Sequence, residues 1–230
     1  LYAGKPVVIK PKSTNFGLGI TILKHNYDET DFKAALQIAF EHDNTVLIEK
    51  FIPGREFRIF IINDEVVGIL HRVPANVTGD GVLNIGQLID RKNEDPLRGK
   101  GYRTPLEKIR KGREEEMFLK QQGMDFNTVP KEGEVVYLRE NSNISTGGDS
   151  IDFTDDIDDS YKAIAVEAAK ALNVKITGLD MMIQDIHAPA TPDNYAIIEM
   201  NFNPAIHIHC YPFKGKNRHL NHKMIKALGF

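Results

Sequence analysis

Gly-Leu-Asp-Met-Met at residues 178–182 and Ile-Ile-Glu-Met-Asn-Phe-Asn-Pro-Ala at 197–205 are two apolar runs, each interrupted by a carboxylate. They fall in predicted strands over about 174–186 and 195–200, joined by the proline-containing loop HAPATPDN. Strand side chains alternate, so Glu199 and Asn201 project to the same face. If the loop over 188–193 folds the strands into a hairpin, Asp180 stands beside that pair. Two anionic oxygen donors and one neutral one suit a hard cation that keeps water and phosphate ligands. The alternative is a set of strand-end residues facing solvent. A buried carboxylate on an apolar strand is costly without a partner, and the apolar neighbours on both strands favour metal ligands.

Working upstream, Asp158–Leu172 is an alanine-rich amphipathic helix capped by aspartates, and 135–139 is a short strand before a Ser/Thr/Gly loop. Residues 79–131 are polar and mixed, with a helix near 85–91. The basic stretch from Arg98 to Arg113 reads either as a solvated loop and helix or as a patch steering anionic ligands. Residues 56–62 and 66–72 flank Asn63-Asp64-Glu65 as a β-hairpin. The N-terminal part reads strand (6–10), glycine-containing loop, strand (20–23), helix (about 28–42), strand (45–51). Downstream of residue 205, a short helix is expected near 221–228, and His207-Ile-His-Cys210 reads as a strand or loop. A zinc site there is disfavoured, because no second ligand pair stands at a recognisable spacing.

The order gives an α+β fold of two sheet-bearing lobes, with Pro53-Gly54 near the boundary: a small lobe over 1–53 and a large one over 54–230. A cleft between lobes is a common place for a ligand. Two further constellations bear on what it would hold. Lys10 ends a strand and precedes Ser13, Thr14, Asn15, Gly17 and Gly19; such a loop brings backbone N–H groups to phosphates, or is a plain turn beside a surface lysine. It is not a P-loop, since no Gly-Lys-Ser/Thr follows. Glu49, Lys50, Phe51 and Ile52 run into Pro53-Gly54, and their backbone can meet an adenine edge. Glu56 can accept from ribose hydroxyls; taken alone this last signal is weak.

The composition excludes other classes. With 29 Lys and Arg against 32 Asp and Glu, the net charge of -3 supplies no global field for nucleic acid. No apolar run approaches the roughly 20 residues that span a bilayer. The single cysteine, Cys210, rules out an internal disulfide framework and fits a cytoplasmic setting. The first strand opens at residue 6 with nothing before it, so the chain reads as part of a longer polypeptide.

Taken in order, VVIKPKSTNFGLG (7–19), EKFIPGREFRIFI (49–61) and GLD…IIEMNFNPA resemble the ATP-grasp superfamily over essentially all 230 residues. HRVPANVTGDGVLNIGQLI, DPLRGKGY, LRENSNISTGGDSIDFT and the tail HIHCYPFKGKNR resemble, more narrowly, the glutathione synthetase module of bacterial bifunctional glutamate–cysteine ligase/glutathione synthetases. Cyanophycin synthetases are the nearest alternative; the stretch NFNPAIHIHCYPFKGKNRHLN favours the former. The resemblance implies a ligase that makes an acyl phosphate from ATP and a carboxylate, here γ-glutamylcysteine, and joins it to the amine of glycine. It implies Lys10 and the 13–19 loop on the phosphates, Glu49–Ile52 on adenine and Glu56 on ribose. Asp180, Glu199 and Asn201 would hold two Mg²⁺ or Mn²⁺ ions, and Arg72 and Arg139 are candidates for the acyl phosphate or the substrate carboxylate. The upstream part of the same polypeptide would complete the site, a homodimer is compatible with it, and neither nucleic acid nor membrane is an expected partner. A non-catalytic nucleotide-binding module is the reading from a different class.

Overall fold

A computed structural model describes residues 4–14, 18–24, 27–140 and 142–230. The chain divides into two compact units, Leu1–Pro53 and Gly54–Phe230.

The first unit contains β1 (Val7–Pro11), β2 (Thr21–Leu23), α1 (Glu29–Phe40) and β3 (Val46–Lys50). The strands form an antiparallel sheet in the order β2-β1-β3. Alternation along β1 buries Val7 and Ile9, which pack with Ala35 and Ala39 of α1. The helix starts where the sequence requires. Asp28 accepts from the N–H groups of Thr30 and Asp31, and Asp31 reaches back to the Asp28 N–H, closing a capping box.

The second unit is built on β4 (Arg55–Ile62), β5 (Glu65–Val73), β10 (Asp149–Asp152), β11 (Ile176–Ile183) and β12 (Tyr195–Asn201). Between β5 and β10 lie β6 (Asn76–Thr78), α2 (Ile85–Lys92), β7 (Arg98–Gly99), β8 (Leu106–Glu107), α3 (Arg113–Gln121) and β9 (Val135–Tyr137). Helix α4 (Asp159–Ala171) follows β10, and α5 (His207–Cys210) and α6 (Leu220–Ala227) close the chain. The five long strands make one antiparallel sheet in the order β10-β5-β4-β11-β12. The β4–β5 hairpin turns at Asn63 and Asp64, both with positive φ, the backbone that matches strand twist.

The sheet's two faces differ. Phe57, Ile59, Ile61, Leu179, Met181 and Ile183 face one way and bury against Tyr161, Ala165 and Ala169 of α4. Each fully buried large apolar side chain contributes about 1.5–3 kcal/mol, so this layer dominates the unit. The opposite face is apolar at one end, where Phe60 and Ile62 meet Cys210 and Leu220, and charged at the other. A separate core joins α2, α3, β6 and β9 through Ile85, Leu88, Ile89, Leu119, Val77 and Val136.

Three expectations need correction. His207–Cys210 is a short helix, because Ile208, His209 and Cys210 are buried in succession, which strand alternation does not allow. His209 fits there because the residue facing it is Gly68, where an added Cβ would lie 2.8 Å from the imidazole Nδ1. Arg98, at the head of the basic stretch, is not solvated: it is buried and paired with Asp149. The loop after residue 139 likewise contains β10, which pairs with β5.

Candidate functional site

The charged half of the sheet face follows from register. Leu70 on β5, Arg58 on β4, Asp180 on β11 and Glu199 on β12 are successive partners across four strands. Their side chains therefore share one face. A register shift after Asp180 pairs Met181 with Ile197 and leaves Ile198 as the extra residue. Bulges of this kind re-aim side chains near the irregularity. The hairpin thus sets Asp180 opposite Glu199, and the Asn201 amide donates to Glu199 Oε1 at 3.0 Å.

Asp180 is 2% exposed. Arg58 grips it at two points, Nε on Oδ1 and a terminal nitrogen on Oδ2 at 2.8 Å. Arg72 adds a bond to Oδ2 at 2.9 Å and also pairs with Glu56. Ser142 donates to Glu56 Oε2 at 2.8 Å, which completes a chain Ser142–Glu56–Arg72–Asp180–Arg58. Burial pushes the Asp180 carboxyl up, yet hydrogen bonds and charge from Arg58 and Arg72 outweigh it and hold the group below the usual aspartate range. A buried charge is tolerable here because it is paired and hydrogen-bonded.

Of the residues singled out from sequence, the structure joins Glu56, Arg72 and Asp180 in this chain, with Glu199 and Asn201 on the adjoining strand. Arg139 has other partners: its Nε donates to the buried Glu115 at 2.6 Å, and its terminal nitrogen pairs with Glu114 and Glu115, all on α3. In the first unit, Lys10 pairs with Glu49 at 2.7 Å. The Ser13 N–H donates to Asp43, and the Thr14 hydroxyl to the Leu18 carbonyl at 3.0 Å. Gly19 has φ +74°, and a Cβ there would meet His42 and Pro11 at 2.7 Å, so only glycine fits. Asn15 and Gly17 lie outside the described residues. Lys50 is exposed, Phe51 and Ile52 are half-buried, and Lys24 stands 5.3 Å over the Phe51 ring.

The donor set can be tested against a divalent cation. Among the described residues, no three His, Cys, Asp or Glu side chains cluster as a metal site; the predicted set has two carboxylates, with an amide as its third donor. All three donors are oxygens, which suits Mg²⁺ or Mn²⁺. Each carboxylate oxygen has about two acceptor directions. Oδ2 of Asp180 uses both on Arg58 and Arg72, whereas Oδ1 accepts from Arg58 and keeps one. Glu199 is exposed. The residues fit a cation bound through one Asp180 oxygen.

Arg58 was missed in the sequence, although it carries a signal: after the exposed Arg55, Glu56 and Arg58 alternate with apolar residues in REFRIFII, so they share a face. Two other clusters gave less warning. Arg218 forks onto Asp152, with Nε to Oδ1 at 3.0 Å and to Oδ2 at 2.9 Å, and ties the C-terminal tail to β10. Arg98, Lys92 and Asn76 surround Asp149. Partners separated by 51 to 73 residues leave no local pattern.

A family model described as the D-ala D-ala ligase C-terminus matches residues 2–84. Over 229 residues the chain is 63% identical to the glutathione biosynthesis bifunctional protein GshAB of Desulfotalea psychrophila, and over 228 residues 58% identical to that of Clostridium perfringens. It is covered to 100% and 99% by these matches and spans 29% of each relative's length. The crystal structure of a bifunctional glutathione synthetase from Pasteurella multocida superposes with a TM-score of 0.75 at 48% identity, covering 98% of this chain and 31% of that one. No helix among the described residues is long and apolar enough to cross a membrane. The α+β fold, the strand-paired carboxylates and the similarity over the whole length together place the chain in the ATP-grasp superfamily, as the counterpart of a segment of the bifunctional glutathione biosynthesis proteins.

Proposed function

We propose that this chain is the part of an ATP-dependent carboxylate–amine ligase that handles ATP and the acyl phosphate, with γ-glutamylcysteine as the carboxylate and glycine as the amine. The observation that carries the reading is the 63% identity over 229 residues to a glutathione biosynthesis protein. The paired carboxylates of β11 and β12 supply its chemistry.

Amide formation from a free carboxylate is uphill in water. The substrate carboxylate oxygen attacks the γ-phosphorus of ATP, ADP leaves, and an acyl phosphate forms. The glycine amine then attacks the acyl carbon, phosphate departs, and the amine proton goes to solvent or a nearby base. Asp180, Glu199 and Asn201 would hold the divalent ions, which when bound neutralise charge on the β- and γ-phosphate oxygens. Arg72 is placed next to Asp180 and carries a fork able to hold a phosphoryl or carboxylate group at two points. Glu56, beside it, presents a carboxylate for ribose hydroxyls. In the first unit, Lys10 would offer a compact positive charge to phosphates, and the 13–19 loop would supply backbone N–H groups. Arg139, held by Glu114 and Glu115, is assigned to fixing α3 rather than to the reacting groups.

The test is phosphate release from ATP and Mg²⁺ with γ-glutamylcysteine and glycine, together with chromatography of the product. Release that needs both small substrates and yields glutathione supports the reading. Release only with an aspartate-rich primer and an amino acid moves it to cyanophycin synthesis. Nucleotide binding with no turnover under any pair leaves a non-catalytic module.

A further inference from the structure

We infer that Arg58 is a positioning residue: its guanidinium fixes the orientation in which Asp180 presents one free oxygen direction to a divalent cation. This rests on the ligase reading above and adds a residue that neither the sequence motifs nor the chemistry of the reaction assigns.

Three observations carry it. Arg58 is 8% exposed and holds both Asp180 oxygens at once, from the adjacent position on the neighbouring strand. A two-point grip by a planar fork stops rotation of the carboxylate about its Cβ–Cγ bond, which a single-point contact does not. Second, the acceptor sites are unequally used. Arg58 and Arg72 saturate Oδ2, while Oδ1 takes Arg58 alone. The remaining direction on Oδ1 is therefore aimed by Arg58.

Third, β11 is shaped to seat this arginine. Gly178, two residues before Asp180 on the same face, would place a Cβ 2.9 Å from Arg58 Cδ and 2.7 Å from Pro204 Cβ. Glycine within a strand often marks such a close approach. Because the Arg58 stem runs across Gly178, its fork meets Asp180 side-on. Arg72 does not duplicate the role, since a single terminal nitrogen bridges Asp180 and Glu56 and contacts one Asp180 oxygen.

The experiment measures Mn²⁺ uptake by the protein with a non-hydrolysable ATP analogue, following free Mn²⁺ by electron paramagnetic resonance. Arg58→Lys keeps the charge and loses the fork. Groups that orient metal ligands typically contribute about 10–100-fold to metal affinity, so uptake is expected to weaken by about tenfold or more. Gly178→Ala leaves both charged residues in place and crowds the seat, and is expected to weaken uptake in the same direction. It decides the matter alone if Arg58→Lys does not fold. In an Asp180→Asn background, Arg58→Lys is expected to add less than about twofold, because its effect passes through that carboxylate. Uptake within about twofold of wild type in either single variant overturns the inference while the ligase reading stands. An undiminished Arg58→Lys effect on top of Asp180→Asn also overturns it. Absence of Mn²⁺ uptake by the wild type overturns both, and so tells the two failures apart.

Discussion

Asp180 and Asp149 are both buried carboxylates held by two cations, and their surroundings are opposite. Asp149 accepts from Arg98, from Lys92 at 2.7 Å and from Asn76 at 3.0 Å. Arg98 also donates to the Glu107 and Gly147 carbonyls, at 2.9 and 3.0 Å, and Lys92 to the Asn76 carbonyl at 2.9 Å. The Phe213 ring lies 5.2 Å from the Lys92 ammonium and 5.4 Å from the Arg98 guanidinium carbon. That cluster turns its donors inward and pins together α2, β6, β7, the turn at Gly147 and β10. Asp180 has fewer partner residues and faces an exposed carboxylate on an edge strand. Each aspartate accepts three hydrogen bonds and keeps one direction on Oδ1, so burial, ion pairing and a spare acceptor do not separate them; the second carboxylate opposite Asp180 does.

The comparison is broken most directly by neutralising each aspartate. Asp180→Asn is expected to lower ligase turnover by about a hundredfold or more, since its proposed role is to hold the ions that neutralise charge on the reacting phosphates. Asp149→Asn is expected to cost about 3–5 kcal/mol of folding stability, because it leaves Lys92 and Arg98 buried without their counter-charge. Turnover per folded molecule should then stay within a few-fold of wild type. Urea unfolding and active-fraction assays on both variants check this. Loss of turnover in Asp149→Asn at unchanged stability would remove the distinction.

How far each aspartate could be read from the sequence follows the same division. The placement of Asp180 beside Glu199 and Asn201 was legible because strand alternation is local and one short loop joins the two runs. The helix starts at Asp28 and Asp158 were legible for the same reason: capping acts within three residues. The Asp149 cluster was not, because its members come from four segments and the apparent basic stretch conceals one fully enclosed arginine. Strand β10 was hidden in a polar run, Asp-Ser-Ile-Asp, whose polar side chains are satisfied by Asn76, Lys92, Arg98, Thr154 and Arg218 far along the chain or just after it. Arg58 stood between these cases: its face was readable, its partner was not.

A second comparison concerns protons. His209 is fully buried near Arg58, Asp152, His207 and Arg72, and burial, with Arg58 as the next cause, holds its pKa down to about 3. His71, half-buried between Phe57 and Phe153, is held down to about 4 by burial and then by Arg55. Both rings are neutral when folded, whereas in the unfolded chain they titrate near 6.5. The unfolded state therefore binds more protons below pH 6.5. Stability is full above that value and falls as pH drops toward about 4 for His71 and about 3 for His209. Each group should remove roughly 1.5 kcal/mol between pH 6.5 and 5. Asp180 and Asp152, held below their ordinary value of 3.8, give stability that is present above that pH and is lost only as pH falls below it. Urea unfolding at several pH values measures the slope. His209→Leu should flatten it by about half, and an unchanged slope would mean that the ring is not held neutral.

The smallest effect lies at the outer end of the Asp180 chain. Ser142 donates to Glu56, whose other oxygen is held by Arg72. Removing the hydroxyl leaves a carboxylate that is still ion-paired and partly open to water, which can replace the lost donor. Ser142→Ala should therefore cost less than about 1 kcal/mol of stability, below the roughly 1.5–3 kcal/mol of a hydrogen bond to a charged group that water cannot replace. If the chain from Ser142 to Arg58 acts as one unit, its consequence should appear elsewhere. A looser Glu56 lets Arg72 shift its weight onto Asp180, so Mn²⁺ affinity should fall slightly, by about twofold, with ATP affinity moving no more than that. An equal loss in Ser142→Ala and Arg58→Lys would mean that Asp180 is oriented by the whole network rather than by the fork of Arg58. A near-silent Ser142→Ala beside a tenfold Arg58→Lys would locate the control of that carboxylate one residue away, on β4.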